Sequence, residues 1–448
     1  MSHTVIARSF FGTTMGFHII FATLGVGIPL MILAAELLYQ RTGDRDYSVM
    51  ARRWTKGFAV LLGIGIPTGT IAGVQLMLLW PGFMTFVGKE ISLTFQIELY
   101  AFFIEALFMS IYVYAYDRLR PWQRIASVSL VTLGAMASAV LITNVHTFED
   151  TPAGFKLVDG RITDVHPWQA FMNPSFVDQA VHVAVSAFMT GAFFIATIAA
   201  YKMLKQRDHI RIYTFHRKAL MLSLAVGGIF SVLTALNGHE TAQGVAQWNP
   251  EKLAAAEGLF ETRTHAPLSI GGYVSEKDQG VKYALKIPGM LSFLAGNRFD
   301  ARVKGLNDFP RDEWPPLFIH VLFNGMVGIG FLLLALSVIG FIWNKILRRP
   351  AFPKIMMWGF VASGPLAILG IEFGWIFACT GRQPWVIYRV MRTEEAVTGA
   401  GHLAGLFTLF LAVYIVLLIA ALLVLYFLFR RHPVANDLPP SAGKPESL

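Results

Sequence analysis

A single cysteine, Cys379, occurs among the 448 residues of this chain. One thiol excludes an internal disulfide, a cysteine-ligated zinc site and a cysteine-ligated iron–sulfur cluster. Charge is scarce as well, with Asp, Glu, Lys and Arg at 15% of residues against 55% hydrophobic ones. The N-terminal segment has no Lys/Arg-rich stretch and no small-residue cleavage pattern. Its first apolar run, 10–39, is too long for the core of a cleaved signal and is expected to be retained. Neither an internal repeat nor a low-complexity tract divides the chain.

Apolar sequence is what the chain has in abundance, at a mean hydropathy of +0.54. Nine runs, at 10–39, 55–80, 93–116, 122–147, 176–203, 217–238, 315–344, 353–380 and 400–429, are each long enough to cross a hydrocarbon core of about 30 Å as a helix. The expected fold is an all-α polytopic membrane protein with nine transmembrane helices. Its expected organisation is spans 1–6 within 1–238, a large loop at 239–314, spans 7–9 within 315–432 and a flexible tail at 433–448. The basic residues gather in the loops between spans 1–2, 3–4, 5–6 and 7–8 and in the tail. Lys/Arg bias of this kind marks the cytoplasmic side, so the N-terminus and the 239–314 loop are expected outside and the C-terminus inside. The net charge of +9 thus sits as rims at helix ends and excludes a nucleic-acid-binding face.

Ionisable groups inside such spans are costly and are functional by default. His18 lies about 12 Å into span 1 at 1.5 Å per residue. Span 3 carries Glu98 and Glu105, seven residues or two turns apart and so on one face. Span 5 has His182, span 7 has His320 and Met326, and span 8 has Glu372. Imidazoles, a thioether and carboxylates at similar depths suit haem iron better than zinc. Taken singly, each residue has a plainer reading: a packing histidine, a core methionine, or carboxylates of a cation path in a transporter. In the loop, 249–257 reads as a short helix with Pro250 near its start, which by itself is equally an ordinary surface helix.

Taken together, the residues resemble subunit I of the cytochrome bd-type quinol oxidases. The most specific piece is Glu372-Phe-Gly-Trp375 followed by Gly381-Arg382-Gln383-Pro384-Trp385. Further matches are Met15-x-x-His18, Ile97-Glu98 with Ala101-Phe-Phe-Ile-Glu105, Val181-His182 followed by Thr190-Gly191, and Lys252-Leu-Ala-Ala-Ala-Glu257. The resemblance implies a respiratory quinol:O2 oxidoreductase of the bacterial cytoplasmic membrane carrying three haems. His182 and Met326 would hold a low-spin haem b; His18 and Glu372 would serve two further haems, b and d or both b. Glu98 and Glu105 would lie beside that pair, and Arg8, Arg382, Gln383 and Trp385 would contact the cofactors. Lys252 and Glu257 would contact quinol. The implied partners are quinol, O2, a second membrane subunit (subunit II) and a small single-span subunit.

The chain departs from the family pattern at several points. Cys379 stands where an acid is usual, span 2 reads Gly73-Val-Gln75-Leu-Met-Leu-Leu-Trp80 without the usual acid and Asn, and Asn144-Val-His146-Thr replaces Asn-x-Trp-Met. The Glu98–Glu105 interval is one residue short. These changes surround the oxygen-reducing pair, and a member carrying only b-type haems fits them as well. Two other readings stay open: a haem b electron-transfer protein that does not reduce O2, and a cofactor-free proton-coupled transporter using Glu98, Glu105 and Glu372.

Overall fold

A computed structural model describes residues 3–88, 91–158, 161–349 and 351–438. Among the described residues, nine helices are long and apolar enough to cross a membrane: His3–Thr42, Arg45–Leu79, Ser92–Ala115, Pro121–Asp150, Phe176–Lys205, Ile210–Trp248, Ile319–Ile346, Lys354–Thr380 and Leu403–Arg431. They are spans 1 to 9. All nine expected runs are present as helices; spans 1, 4 and 6 extend past the apolar stretches at both ends, while spans 7 and 9 begin later than expected, at Ile319 and Leu403. Span 6 continues ten residues beyond position 238, because the polar residues after Asn237 end the hydropathy but keep helical geometry. It stops at Trp248 because Pro250 disfavours helical conformation at Asn249 and itself starts the next helix, Pro250–Glu257. Of the expected tail, Val434 is buried and Asp437 lies 2.5 Å from Arg53, docking the segment up to 438; positions 439–448 fall outside the described residues.

Spans 5, 6, 7 and 8 close into a ring in which each packs on the next and span 8 packs back on span 5. His182 and Met326 therefore come from spans 5 and 7, which oppose each other across this ring. Span 1 is the hub of the second half, packing on spans 2, 4 and 5, while span 3 packs on span 4. Span 9 rests on spans 1 and 2, tied by the Thr14–Tyr414 hydroxyl pair at 2.7 Å, and turns most of its apolar side chains outward, as a lipid-facing helix does.

The junction between the two halves depends on absent side chains. A Cβ on Gly27 would lie 2.4 Å from the Ala187 carbonyl oxygen, and one on Gly191 would lie 2.4 Å from the Gly27 carbonyl carbon. Small residues let membrane helices approach backbone to backbone, which replaces the hydrophobic drive that lipid removes. The large loop is built from the Pro250–Glu257 helix and two nested antiparallel ladders, Leu268–Ile270 with Leu285–Ile287 and Tyr273–Ser275 with Gly280–Lys282.

Gly191→Ala should therefore lower stability by roughly 1–3 kcal/mol or more through overpacking. The readout is the thermal unfolding midpoint of purified protein in detergent; an unchanged midpoint would contradict the contact.

Candidate functional site

His18 and His182 are presented in the same way. The Nδ1 of His18 lies 3.0 Å from the Thr68 hydroxyl on span 2. That hydroxyl gives its only proton to the Ile64 or Gly65 carbonyl, so it accepts from Nδ1–H. The Nδ1 of His182 lies 3.0 Å from Oδ1 of Asn237 on span 6, whose amide donates to the Asp178 carbonyl. Each imidazole is thereby set as the Nδ1–H tautomer with an Nε2 lone pair to offer. This is the arrangement that metal-ligating histidines show, with the distal nitrogen tied to an acceptor. His320 differs: its two nitrogens face the carbonyl oxygens of Ala256 at 2.6 Å and Gly271 at 3.0 Å, so neither is free for iron. It fastens the large loop to span 7.

Glycines shape the space beside these groups. A Cβ on Gly69 would come within 3.0 Å of the His18 ring, and one on Gly16 within 3.2 Å of Oε2 of Glu372. Glu372 thus approaches span 1 near the height of His18. Positions 16 and 18 project about 200° apart on a helix, so the two side chains lie on different sides of span 1. The Met326 sulfur rests where a Cβ on Gly374 would be 3.0 Å away, two residues beyond Glu372. Oε1 of Glu372, Nε1 of Trp385 and Nε of Arg382 are buried and have no hydrogen-bond partner among the described residues. Among the described residues no three His, Cys, Asp or Glu side chains converge as a bare metal ion requires. Separate single donors with spare valences fit a macrocycle that already supplies four nitrogens to its iron.

Span 3 is held against span 4 where Gly134 meets the backbone of Ala101 and Glu105. Glu105 is buried, and Glu98 accepts from the Ser138 hydroxyl at 3.1 Å. Both carboxylates face the bundle, as their spacing requires.

The turn after span 8 carries a buried charge cluster. Arg382 donates to Asp150 at 2.8 Å and to Glu149, both at the end of span 4. Asp150 is fully buried and also faces Lys252 at 3.4 Å, Gln179 at 3.1 Å and His146 at 3.5 Å. Burial works against the Arg382 charge, but Glu149 and Asp150 outweigh it and hold the guanidinium above its ordinary range. The terminal nitrogens of Arg382 are thus committed within the protein, leaving Nε over. Arg8 and Arg382 both lie within electrostatic reach of Cys379. Gln383 accepts from Thr393 at 2.8 Å, and Arg392 covers the Trp385 ring at 5.1 Å.

Lys252 and Glu257 are both buried within the loop helix and are not presented on an outer surface. Burial pushes Glu257 up to about 8, with only a long contact from the Ser269 amide opposing it. Sequence reasoning missed Thr68, Asn237, Glu149 and Asp150. The adjacent acids at the end of span 4 were a readable signal for the charge that Arg382 needs.

Arg382→Ala strands two buried carboxylates and should cost about 3–5 kcal/mol. A lowered unfolding midpoint, partly recovered by adding Glu149→Ala, is the expected result. Glu257 favours its neutral form in the fold, so its stabilising contribution is complete below pH 4.5 and is lost as pH climbs through about 8. Amide-exchange protection of the Pro250–Glu257 helix should fall across that window, after correction for intrinsic rates, and Glu257→Gln should flatten the dependence.

Comparison with known proteins shows the family. The family model for cytochrome bd terminal oxidase subunit I matches residues 6–433. A Bacillus subtilis (strain 168) protein provisionally named cytochrome bd menaquinol oxidase subunit I is 64% identical over 98% of this chain and 99% of its own length. Cytochrome bd ubiquinol oxidase subunit 1 of the same organism is 30% identical over 98% of this chain and 97% of its own. The solved bd oxidase from Geobacillus thermodenitrificans superposes with a TM-score of 0.91 at 43% identity, covering 96% of this chain and 99% of that one. The chain belongs to the cytochrome bd terminal oxidase subunit I family, the multi-pass, haem-binding subunits of quinol oxidases of the cytoplasmic membrane.

Proposed function

We propose that this chain oxidises quinol at its large loop and reduces O2 within the bundle, drawing protons from the opposite side of the membrane. The observation that carries this reading is the pair of histidines with Nδ1 tied and Nε2 free, together with a separate buried glutamate that has an unpartnered carboxylate oxygen. His182 with Met326 would hold a low-spin haem b, and His18 and Glu372 two further haems, b and d or both b. Bound there, haem supplies one-electron transfer and the reduction of O2. An iron charge would offset the cost of keeping Glu372 ionised in an apolar span.

The side chains supply the rest. Thr68 and Asn237 fix the ligand imidazoles before anything binds, so no reorientation is needed. Glu98 and Glu105 offer proton-carrying carboxylates on one face of span 3. Trp385 Nε1 and Arg382 Nε are unused donors suited to an anionic edge of a cofactor, with Arg8 and Gln383 near that turn. In the 239–314 domain, Lys252 would orient the quinol head group. Glu257, pushed up to about 8 by burial, would donate a hydrogen bond to it at neutral pH and accept a proton from it as pH rises through that value. The basic loops assign the cytoplasm to the end away from this domain, with spans 1–6 and 7–9 forming the membrane body. Releasing protons outside and consuming protons from inside charges the membrane without pumping. The 64% identical relative is named for menaquinol, which is the donor proposed here. A second membrane subunit and a small single-span one would complete the assembly.

A reduced-minus-oxidised spectrum and oxygen uptake with a menaquinol analogue test the reading. Haem bands with quinol-dependent uptake are expected. Bands without uptake would favour the electron-transfer alternative, and no bands would favour a transporter. Met326→Leu should abolish the low-spin haem b signal while the protein still inserts; an unchanged spectrum refutes its role.

A further inference from the structure

Span 1 carries a single carboxylate, which the site above does not use. Glu36 is fully buried near the end of the bundle that bears the basic loops. Its Oε1 accepts from Tyr112 of span 3 at 2.7 Å and from Tyr116, just past the end of that span, at 2.8 Å. Its Oε2 has no hydrogen-bond partner among the described residues. Tyr116 in turn shares a hydrogen bond with Ser48 on span 2 at 3.2 Å, and Ser48 is half-buried at the start of that span. A continuous hydrogen-bonded chain therefore runs Ser48, Tyr116, Glu36, Tyr112, from the bundle's edge to its interior.

The position of Tyr112 gives this chain a direction. Glu98, Glu105 and Tyr112 recur every seven residues on span 3, so all three occupy one face. Each interval is about 10.5 Å along the helix. A gap of that length is one that about three hydrogen-bonded waters can cross, at about 2.8 Å per bond. The charged groups around the chain are Arg52, whose guanidinium lies over the Tyr116 ring at 4.3 Å, Arg124 on the same ring at 4.5 Å, and Asp117, paired with Arg52 at 3.0 Å. Thr55 of span 2 also faces Tyr112. A purely structural clamp between spans 1 and 3 would be served by a neutral acceptor. A carboxylate with one oxygen left over is a costlier choice inside a membrane.

We propose that Glu36 is the proton-intake residue of this subunit, loaded through Ser48 and Tyr116 and discharging through Tyr112 toward Glu105. One proton arrives on the Glu36 carboxylate from the basic-loop side. Once the Tyr112 hydroxyl turns from Glu36 toward Glu105, Glu36 passes a proton to the Tyr112 oxygen as the hydroxyl proton leaves toward Glu105; no electrons move and no proton is gained or lost in the chain. The inference rests on the oxidase reading above, since only a reaction that consumes protons within the bundle needs such a supply.

The test is Glu36→Gln in the assembled oxidase, which keeps a carbonyl acceptor for both tyrosines and removes the exchangeable carboxyl. Expected are an at least tenfold lower quinol-dependent O2 uptake, unchanged haem bands, a raised D2O isotope effect on turnover, and partial rescue by Glu36→Asp. Turnover within twofold of the parent with the parental isotope effect overturns the proposal. Should Glu36→Gln fail to assemble, Tyr112→Phe carries the same test: a severalfold loss with a raised isotope effect supports the route, and parental values overturn it. A parent protein without O2 uptake would instead overturn the oxidase reading, and this proposal with it.

Discussion

Asp150 ties together more of the loop-side end than any other side chain. It closes span 4, and its carboxylate meets the guanidinium of the turn after span 8, the ammonium of the loop helix and an amide of span 5. Its own carbonyl accepts from Asn249, the residue that ends span 6. Segments distant in sequence are thus registered on one buried residue. Removing water makes each of these contacts stronger and also makes each indispensable, because an unpaired charge here has nowhere to be solvated. The Pro250–Glu257 helix, the turn and the ring of spans 5–8 inherit their relative positions from that constraint.

Deeper in the bundle a different rule holds. Polar side chains there are few, and their hydrogen bonds serve orientation. Thr68 and Asn237 each commit their own proton to a backbone carbonyl and so become pure acceptors toward a histidine. Glycines at 16, 69 and 374 then keep the neighbouring backbone clear of Glu372, His18 and Met326. The result is a set of donors aimed and spaced by the helices themselves.

The nine spans were legible because a hydrocarbon core demands long apolar runs, and the positions of His18, Glu98, Glu105 and Glu372 were legible because the same core penalises ionisable groups. Span ends were less so: the last turns of span 6 are polar, helical and outside any hydropathy window. The supporting partners were invisible for a further reason. Threonine and asparagine are common everywhere, and Asp150 lies 232 positions from Arg382, so only the fold brings them together. His146 stands where the family usually has Trp, and the structure gives it a role the sequence did not suggest, beside Asp150 and edge-on to Trp375 at 5.6 Å.

Cys379 occupies the position where an acid is usual, one turn before Arg382 leaves the helix, and it retains accessible surface. Since it is the only thiol in the chain, a sulfhydryl reagent has a single address, within electrostatic reach of Arg8, Arg382 and the Asp150 cluster. Any thiol chemistry on the chain is therefore confined to one place, beside the charges that bind the loop to the membrane body.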